Sequence, residues 1–273
     1  MQIDQIINYL ENKFPTSFQE SYDNSGQQII ISEEKISGIM LALDFTPLIL
    51  EEMLVKKCNL LLTHHPFFFK PFRNIVSADP KSNLIIKSLE KKISLYALHT
   101  NLDKFYFSKL AAVFNFEPSE PLFLTEVLED GQRIGLGSKV LLNKSISLQN
   151  FLAQVTTILN LDHLVYTGNL GQKIKKIAFL NGSGGNLIEK IIGENKDLDC
   201  ILTGDVNYHH AQEASFFSVA VIDAGHFFTE RIFLKFLKLE LEDFFKKKKQ
   251  TEKINLYLSE TENNPFKLYL KEI

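Results

Sequence analysis

Two stretches of this chain repeat one construction: a short apolar run, a turn bearing histidine or carboxylate, then a second run and a second such turn. The first passes through Leu60-Leu61-Leu62, Thr63-His64-His65, the apolar stretch Ser94 to Leu98, and His99-Thr100-Asn101-Leu102-Asp103. The second passes through Cys200-Ile201-Leu202, Thr203-Gly204-Asp205, Val219 to Ile222, and Asp223-Ala224-Gly225-His226 with Glu230. Runs this short and this apolar predict buried parallel strands. Ligands of open α/β sheets bind beyond the carboxyl ends of such strands. Four strand ends carrying metal-competent side chains therefore predict one shared site with metal in it.

The rest of the pattern extends the duplication. Ile3, Ile6, Ile7 and Leu10 predict an opening amphipathic helix. Strands are expected over Gln27 to Ile31 and Ile36 to Leu43. Helices are expected from Thr46-Pro47 to Lys57, from Pro80 to Lys92 and from Phe105 to Phe114. The order then recurs: helix Leu148 to Leu159, strands Leu164 to Thr167 and Ile174 to Asn181, and a Gly182-Ser183-Gly184-Gly185 turn into a helix ending near Asn195. Helices Tyr208 to Ser215 and Thr229 to Phe245 and a last strand, Ile254 to Leu258, complete it. Pro118, Pro121, Gly131, Gly135 and Gly137 cluster between the halves. The expected architecture is an α/β fold of two repeats, residues 1–125 and 126–273, with mixed, mostly parallel sheets layered α/β/α and the metal site between the repeats.

Composition narrows the function classes. With 273 residues, 45% of them hydrophobic, there is ample material for such a core. Thirty basic against 33 acidic residues give a net charge of −3, which is no nucleic-acid footprint. No apolar run approaches a membrane span, and the first residues lack the order of a signal peptide. A cytoplasmic protein is expected. Cys58 and Cys200 are expected to be reduced, packed side chains, since they lack the spacing of a zinc knuckle.

At the site, extended chain sends neighbouring side chains to opposite sides. His64 and His65 are thus expected to serve different ions of a pair, unless they are merely strand-end histidines bonded to backbone. Asp103 and Glu230 supply carboxylates able to bridge two cations. His226 and Glu230, four apart, share one face at a helix start. Three histidines and two carboxylates without thiolate suit zinc, manganese, iron(II) or cobalt. Two ions about 3.5–4 Å apart activate water and polarise oxygen in hydrolytic enzymes. His99 is a candidate for an acid-base group or a support to the ligands, with a packed loop histidine as the plain alternative.

Other features have plainer readings. His163 is expected to be structural, and of His209 and His210 one faces the cleft at most. Asp23-Asn24-Ser25-Gly26 reads as a turn. Lys246 to Lys249 reads as a solvated helix end rather than a phosphate contact. Gly182 to Gly185 reads as a helix-start turn before an anion nest. Phe67-Phe68-Phe69, just after the histidine pair, is expected to form a lid or an oligomer contact.

Taken together, Thr63-His64-His65-Pro66, His99-Thr100-Asn101-Leu102-Asp103, Thr203-Gly204-Asp205 with Tyr208-His209, and Gly225-His226 with Thr229-Glu230 resemble one family. It is the Nif-three-like dinuclear-metal family, whose members are commonly named GTP cyclohydrolase 1 type 2 homologues. The likeness runs from Tyr22-Asp23-Asn24 to Asn264-Pro265-Phe266. It implies intertwined halves, a toroidal homohexamer, and two divalent ions held by His64, His65, Asp103, His226 and Glu230. Tyr22 stands where the family often has tryptophan, and Ser25 and Gln27 also depart from it.

Three functions follow as expectations. The first is a metal-dependent GTP cyclohydrolase that opens the guanine ring at C8, loses formate and yields dihydroneopterin triphosphate. The second is a metallohydrolase of another nucleotide, phosphoester or metabolite. The third is a metal-binding scaffold or regulatory partner without catalysis. No P-loop is present.

Overall fold

Apolar residues at helical spacing form the first helix, α1 (Ile3–Lys13), which buries Ile3, Ile6, Ile7 and Leu10. The structure, a computed structural model, describes residues 1–32, 34–118, 120–248 and 254–269. After α1 come β1 (Gly26–Ile29), β2 (Ile39–Ala42), α2 (Pro47–Lys56), β3 (Leu60–Thr63), α3 (Pro80–Glu90) and β4 (Ser94–Ala97). Next are α4 (Thr100–Phe105), α5 (Lys109–Ala112), β5 (Pro121–Val127), β6 (Arg133–Ser147), α6 (Leu148–Leu159), β7 (Val165–Tyr166) and β8 (Lys173–Phe179). The chain closes with α7 (Ile188–Glu194), β9 (Cys200–Thr203), α8 (Tyr208–Phe216), β10 (Ala220–Asp223), α9 (His226–Lys247) and β11 (Leu256–Leu258). Two compact units result: residues 1–101 with 234–273, and residues 102–233.

In the first unit the sheet order is β1-β4-β3-β2-β11. β11, β2, β3 and β4 run parallel, and β1 pairs antiparallel with β4 at the edge. Every residue of β2, β3 and β4 is buried, the mark of parallel strands covered on both faces. Thr46 caps α2 by accepting the Ile49 N–H, with Pro47 at its first turn and Lys57 in the left-handed region at its end. Asp79 and Pro80 start α3 in the same way. Met40, Leu61 and Leu95 join Ile49, Met53, Leu84 and Ile85 in one core. Each such side chain contributes about 1.5–3 kcal/mol of burial.

A buried carboxylate secures the C-terminal segment of that unit. Glu52, on α2, accepts hydrogen bonds from Ser259 Oγ, Thr261 Oγ1 and the backbone N–H groups of Glu260 and Thr261, and pairs with Lys56 at 2.7 Å. Burial raises the carboxyl's pKa, but the Lys56 ammonium and these donors outweigh it and hold the group down at about 2. Glu52→Ala is expected to lower unfolding free energy by about 2–4 kcal/mol, because four donors lose one acceptor. Urea titration checks this; a loss under about 0.5 kcal/mol would contradict it. The folded pKa lies below the ordinary 4.5. Its stabilisation is therefore complete above that pH and disappears as pH falls toward 2.

In the second unit the order is β5-β6-β8-β9-β10-β7. A parallel trio, β8, β9 and β10, is flanked by antiparallel β6 and β5 on one side and β7 on the other. Ala178, Ile188, Ile191, Ile201, Ala214 and Val221 form its core. The stretch that holds Pro121, Gly131, Gly135 and Gly137 is a hairpin of β5 and β6 within this unit. Its proline and glycines read as breakers, but Pro121 sits at the first position of an edge strand, where no ladder N–H is required.

The trios β2-β3-β4 and β8-β9-β10 share strand order and direction. In each, the last two strands lead directly into the histidine and carboxylate segments. The expected helix over 105–114 is instead two short ones, so that Asp103 lies on α4. α9 starts at His226, earlier than its apolar spacing indicated. Lys246 and Lys247 end that helix and Lys248 follows it, all exposed, and Lys249 lies outside the described residues. Phe67 and Phe68 pack on the first unit's core, and Phe69 alone of the trio is largely exposed. Both cysteines are free and buried, and burial pushes the Cys58 thiol up to about 11. No helix among the described residues is long and apolar enough to cross a membrane.

Candidate metal centre

In the first unit, the histidine pair begins where β3 stops. The backbone N–H groups of His64 and His65 still bond to Ala42 and Leu43, continuing the ladder with the neighbouring strand. Thr63 Oγ1 then donates to the His65 carbonyl at 2.9 Å and bends the chain. Strand alternation no longer holds there. The two rings, expected to diverge, lie 5.2 Å apart between centroids. With His99 they offer ring nitrogens all within 4.8 Å of one another. His64 is fully buried, and the His65 and His99 side chains are 24% and 16% exposed, so the cluster opens toward solvent on their side.

Two aspartates orient these rings. Asp44 Oδ1 is 3.0 Å from His65 Nδ1, and Asp23 Oδ1 is 2.8 Å from His99 Nδ1. Asp23 also accepts from Thr100 N at 3.0 Å, Thr100 Oγ1 at 2.5 Å and Ser25 Oγ at 2.9 Å. Burial raises the Asp23 pKa, yet the His99 bond, the His99 charge and these hydroxyls together hold it far below the carboxylate range.

The second unit carries the remaining candidates. Asp103 is buried and accepts from Asn181 Nδ2 at 2.9 Å. His226 begins α9 with Nδ1 2.7 Å from Asp205 Oδ2 and Nε2 2.8 Å from Glu230 Oε2. Burial lowers the His226 pKa, but the bonds and charges of Glu230 and Asp205 raise it more, to about 9. Asp205 takes the left-handed conformation, φ 56°, which aspartate tolerates better than most residues. Gly182 has φ 61°, and a Cβ there would run into the Glu230 carboxylate. At Gly204 a Cβ would lie 2.6 Å from His226 N. The glycine-rich turn is thus needed for close approach to the site's own residues. It opens a short 3-10 turn, Gly185–Leu187, then α7.

These residues fit divalent metal. Each of His65, His99 and His226 presents Nδ1 to an aspartate, the arrangement that fixes the ring of a metal-ligating histidine and leaves Nε2 as the donor. Two ligands about 2.0–2.1 Å from one ion stand about 2.9–3.4 Å apart. The His226–Glu230 separation of 2.8 Å is close to that. Nitrogen and oxygen donors alone suit zinc, manganese or iron.

Asp44, Asp23 and Asn181 had no assigned role in the sequence pattern, and Asp205 was grouped with the site without one. Asp44 and Asn181 follow β2 and β8 just as the histidines follow β3, so the strand-end rule extends to them. Asp23 is hidden in an ordinary turn signature. His163 and His209 are exposed, and His210 is half-buried beside Asn207. Among the described residues, none of these three joins a metal-competent group.

A family model described as Duf34/NIF3 (NGG1p interacting factor 3) matches residues 1–265. A Clostridium acetobutylicum protein named GTP cyclohydrolase 1 type 2 homolog is 33% identical over 233 residues, covering 84% of this chain and 85% of that protein. A Helicobacter pylori protein named GTP cyclohydrolase 1 type 2 is 29% identical, covering 85% and 88%. Among solved structures, a Staphylococcus aureus protein superposes with a TM-score of 0.88 at 25% identity, covering 98% of this chain and 99% of that one.

Proposed function

Because the chain belongs to the Duf34/NIF3 family, we propose that it is a two-metal hydrolase acting on GTP as a cyclohydrolase. His64, His65, Asp103, His226 and Glu230 would hold two divalent ions: zinc, manganese or iron. The observation that carries this reading is the aspartate on Nδ1 of His65 and of His226, a pairing that raises ligand basicity and fixes ring orientation. The names of the clostridial and Helicobacter relatives point to GTP as the substrate.

When bound, such ions lower the pKa of water and polarise a ring or phosphoryl oxygen. The protein's own residues prepare for that. Asp44 and Asp205 orient the His65 and His226 imidazoles through Nδ1. Asn181 donates to Asp103 Oδ1 and orients that carboxylate. His99, anchored by Asp23, is the group placed to carry a proton between solvent and the ring nitrogen released at C8. The homohexameric ring implied by the resemblance is part of the same proposal, and light scattering tests it. A mass near 31.3 kDa would contradict it.

The direct test is formate release from GTP by full-length protein reconstituted with zinc, manganese or iron(II), with metal content measured in parallel. Two ions per chain and stoichiometric formate are expected. Metal without formate would leave the centre in place and move the search to other phosphoesters and metabolites. Protein that gains no metal from any of the three salts would sink the reading altogether.

A further inference from the structure

The segment that follows the histidine pair, without Phe68, lines an open cavity of about 570 Å³ together with Asp79 and the start of α3. That volume lies in the range of small-molecule sites. Its charge is net positive. Lys70, Arg73 and Lys81 all line it and all are exposed. None of the three forms an ion pair among the described residues. Asp79, the acidic member of the lining, caps α3 by accepting the Ser82 N–H and attracts Lys81 through its charge, so three cations face one carboxylate. Three cations sharing one concavity repel each other and attract a polyanion, in a chain whose net charge is −3.

The same cavity has an aromatic side that reaches the histidines. Phe67 and Phe72 stack with centroids 5.9 Å apart and are anchored on the core. Phe69 lines the cavity, is 46% exposed and stands 6.2 Å from the His99 ring. Tyr22 meets it edge-on at 6.5 Å. Exposed rings of this kind are stacking platforms for a planar ligand. Cations on one side and rings leading to the metal-competent cluster on the other match a ligand with a phosphate tail and an aromatic head.

We propose that Lys70, Arg73 and Lys81 form a subsite for the polyphosphate tail of a nucleotide whose base lies toward Phe69 and the His64–His65–His99 cluster. Arg73 supplies a fork suited to two phosphate oxygens, and the two lysines supply point charges. The proposal rests on the GTP reading for the identity of the base, and on the cavity alone for the anion.

Inorganic tripolyphosphate, titrated calorimetrically into the metal-free full-length chain, tests the anion subsite apart from metal. Wild type is expected to bind, with affinity falling as salt rises. The double variant K70A/R73A is expected to bind about 30-fold or more weakly, at roughly tenfold per lost charged contact with partial compensation. K70R/R73K is expected to retain most of the affinity. K91A removes one charge outside the cavity and is expected to stay within about twofold of wild type. No binding by wild type, equal affinity in K70A/R73A, or an equal loss in K91A would each overturn the subsite. Formate release separates this from the catalytic reading. If metal-loaded wild type releases none while tripolyphosphate binding still depends on Lys70 and Arg73, the cyclohydrolase fails and the subsite stands. If formate is released with the same KM in wild type and K70A/R73A, the subsite fails and the cyclohydrolase stands.

Discussion

His65→Ala is expected to lower GTP turnover by about 10³-fold or more and to remove one of two bound ions. An alanine offers no donor at a position where the neighbouring His64 and His99 nitrogens lie within 4.8 Å. A lost ligand removes water activation outright, rather than weakening one hydrogen bond. Turnover within tenfold of wild type would show that His65 ligates nothing needed for reaction. The same centre makes a proton-linked prediction. In the metal-free protein His226 holds its proton up to about pH 9, against an ordinary 6.5. A cation must displace that proton, so zinc loading at pH 7 is expected to release acid. Calorimetry in buffers of different ionisation heat measures it, and His226→Ala should abolish that component. The sign for the metal-free fold follows from the raised pKa. The stabilisation from the charged His226–Glu230 pair is complete below about pH 6.5 and is lost as pH rises through about 9.

Gly182→Ala should damage stability and metal binding together. The residue sits at φ 61°, and the added Cβ would lie 2.8 Å from Glu230 Cδ and closer still to its Oε1. Glu230 is 3% exposed and cannot swing into solvent without uncovering a buried carboxylate. Backbone strain and the clash add to about 2–4 kcal/mol. The N–H of residue 182 also donates to Thr229 Oγ1, next to Glu230 on α9, so any shift of this turn moves the metal-competent face. Urea unfolding and metal analysis of the variant decide it. Stability within about 0.5 kcal/mol of wild type, with full metal content, would mean the turn has room that the geometry denies.

Much of this was legible before folding. The strands β3 and β9 begin with their apolar runs and extend each by one threonine, because burial on both faces leaves no choice of polar register. Helices with a cap and a proline at the start, α2 and α3, also begin where the sequence marks them. The hairpin β5–β6 was not legible. Its stability comes from cross-strand pairing and from β8 alongside, and neither is written in the local pattern. The convergence of His64 and His65 was hidden for a related reason. Strand alternation applies only along the extended strand, and β3 stops at Thr63, whose hydroxyl then bonds to the His65 carbonyl.

Order, spacing and donor type of the candidate ligands were determined by the sequence alone: three histidines and two carboxylates, each just past an apolar run or one helical turn from another. Tertiary structure decided which group faces which ring. Asp23 reaches His99 across 76 positions, while Asp44 reaches His65 and Asp205 reaches His226 across 21. A turn aspartate looks the same in sequence whether it caps a loop or orients an imidazole. The difference is made by packing, which sets distances between groups the chain itself keeps far apart.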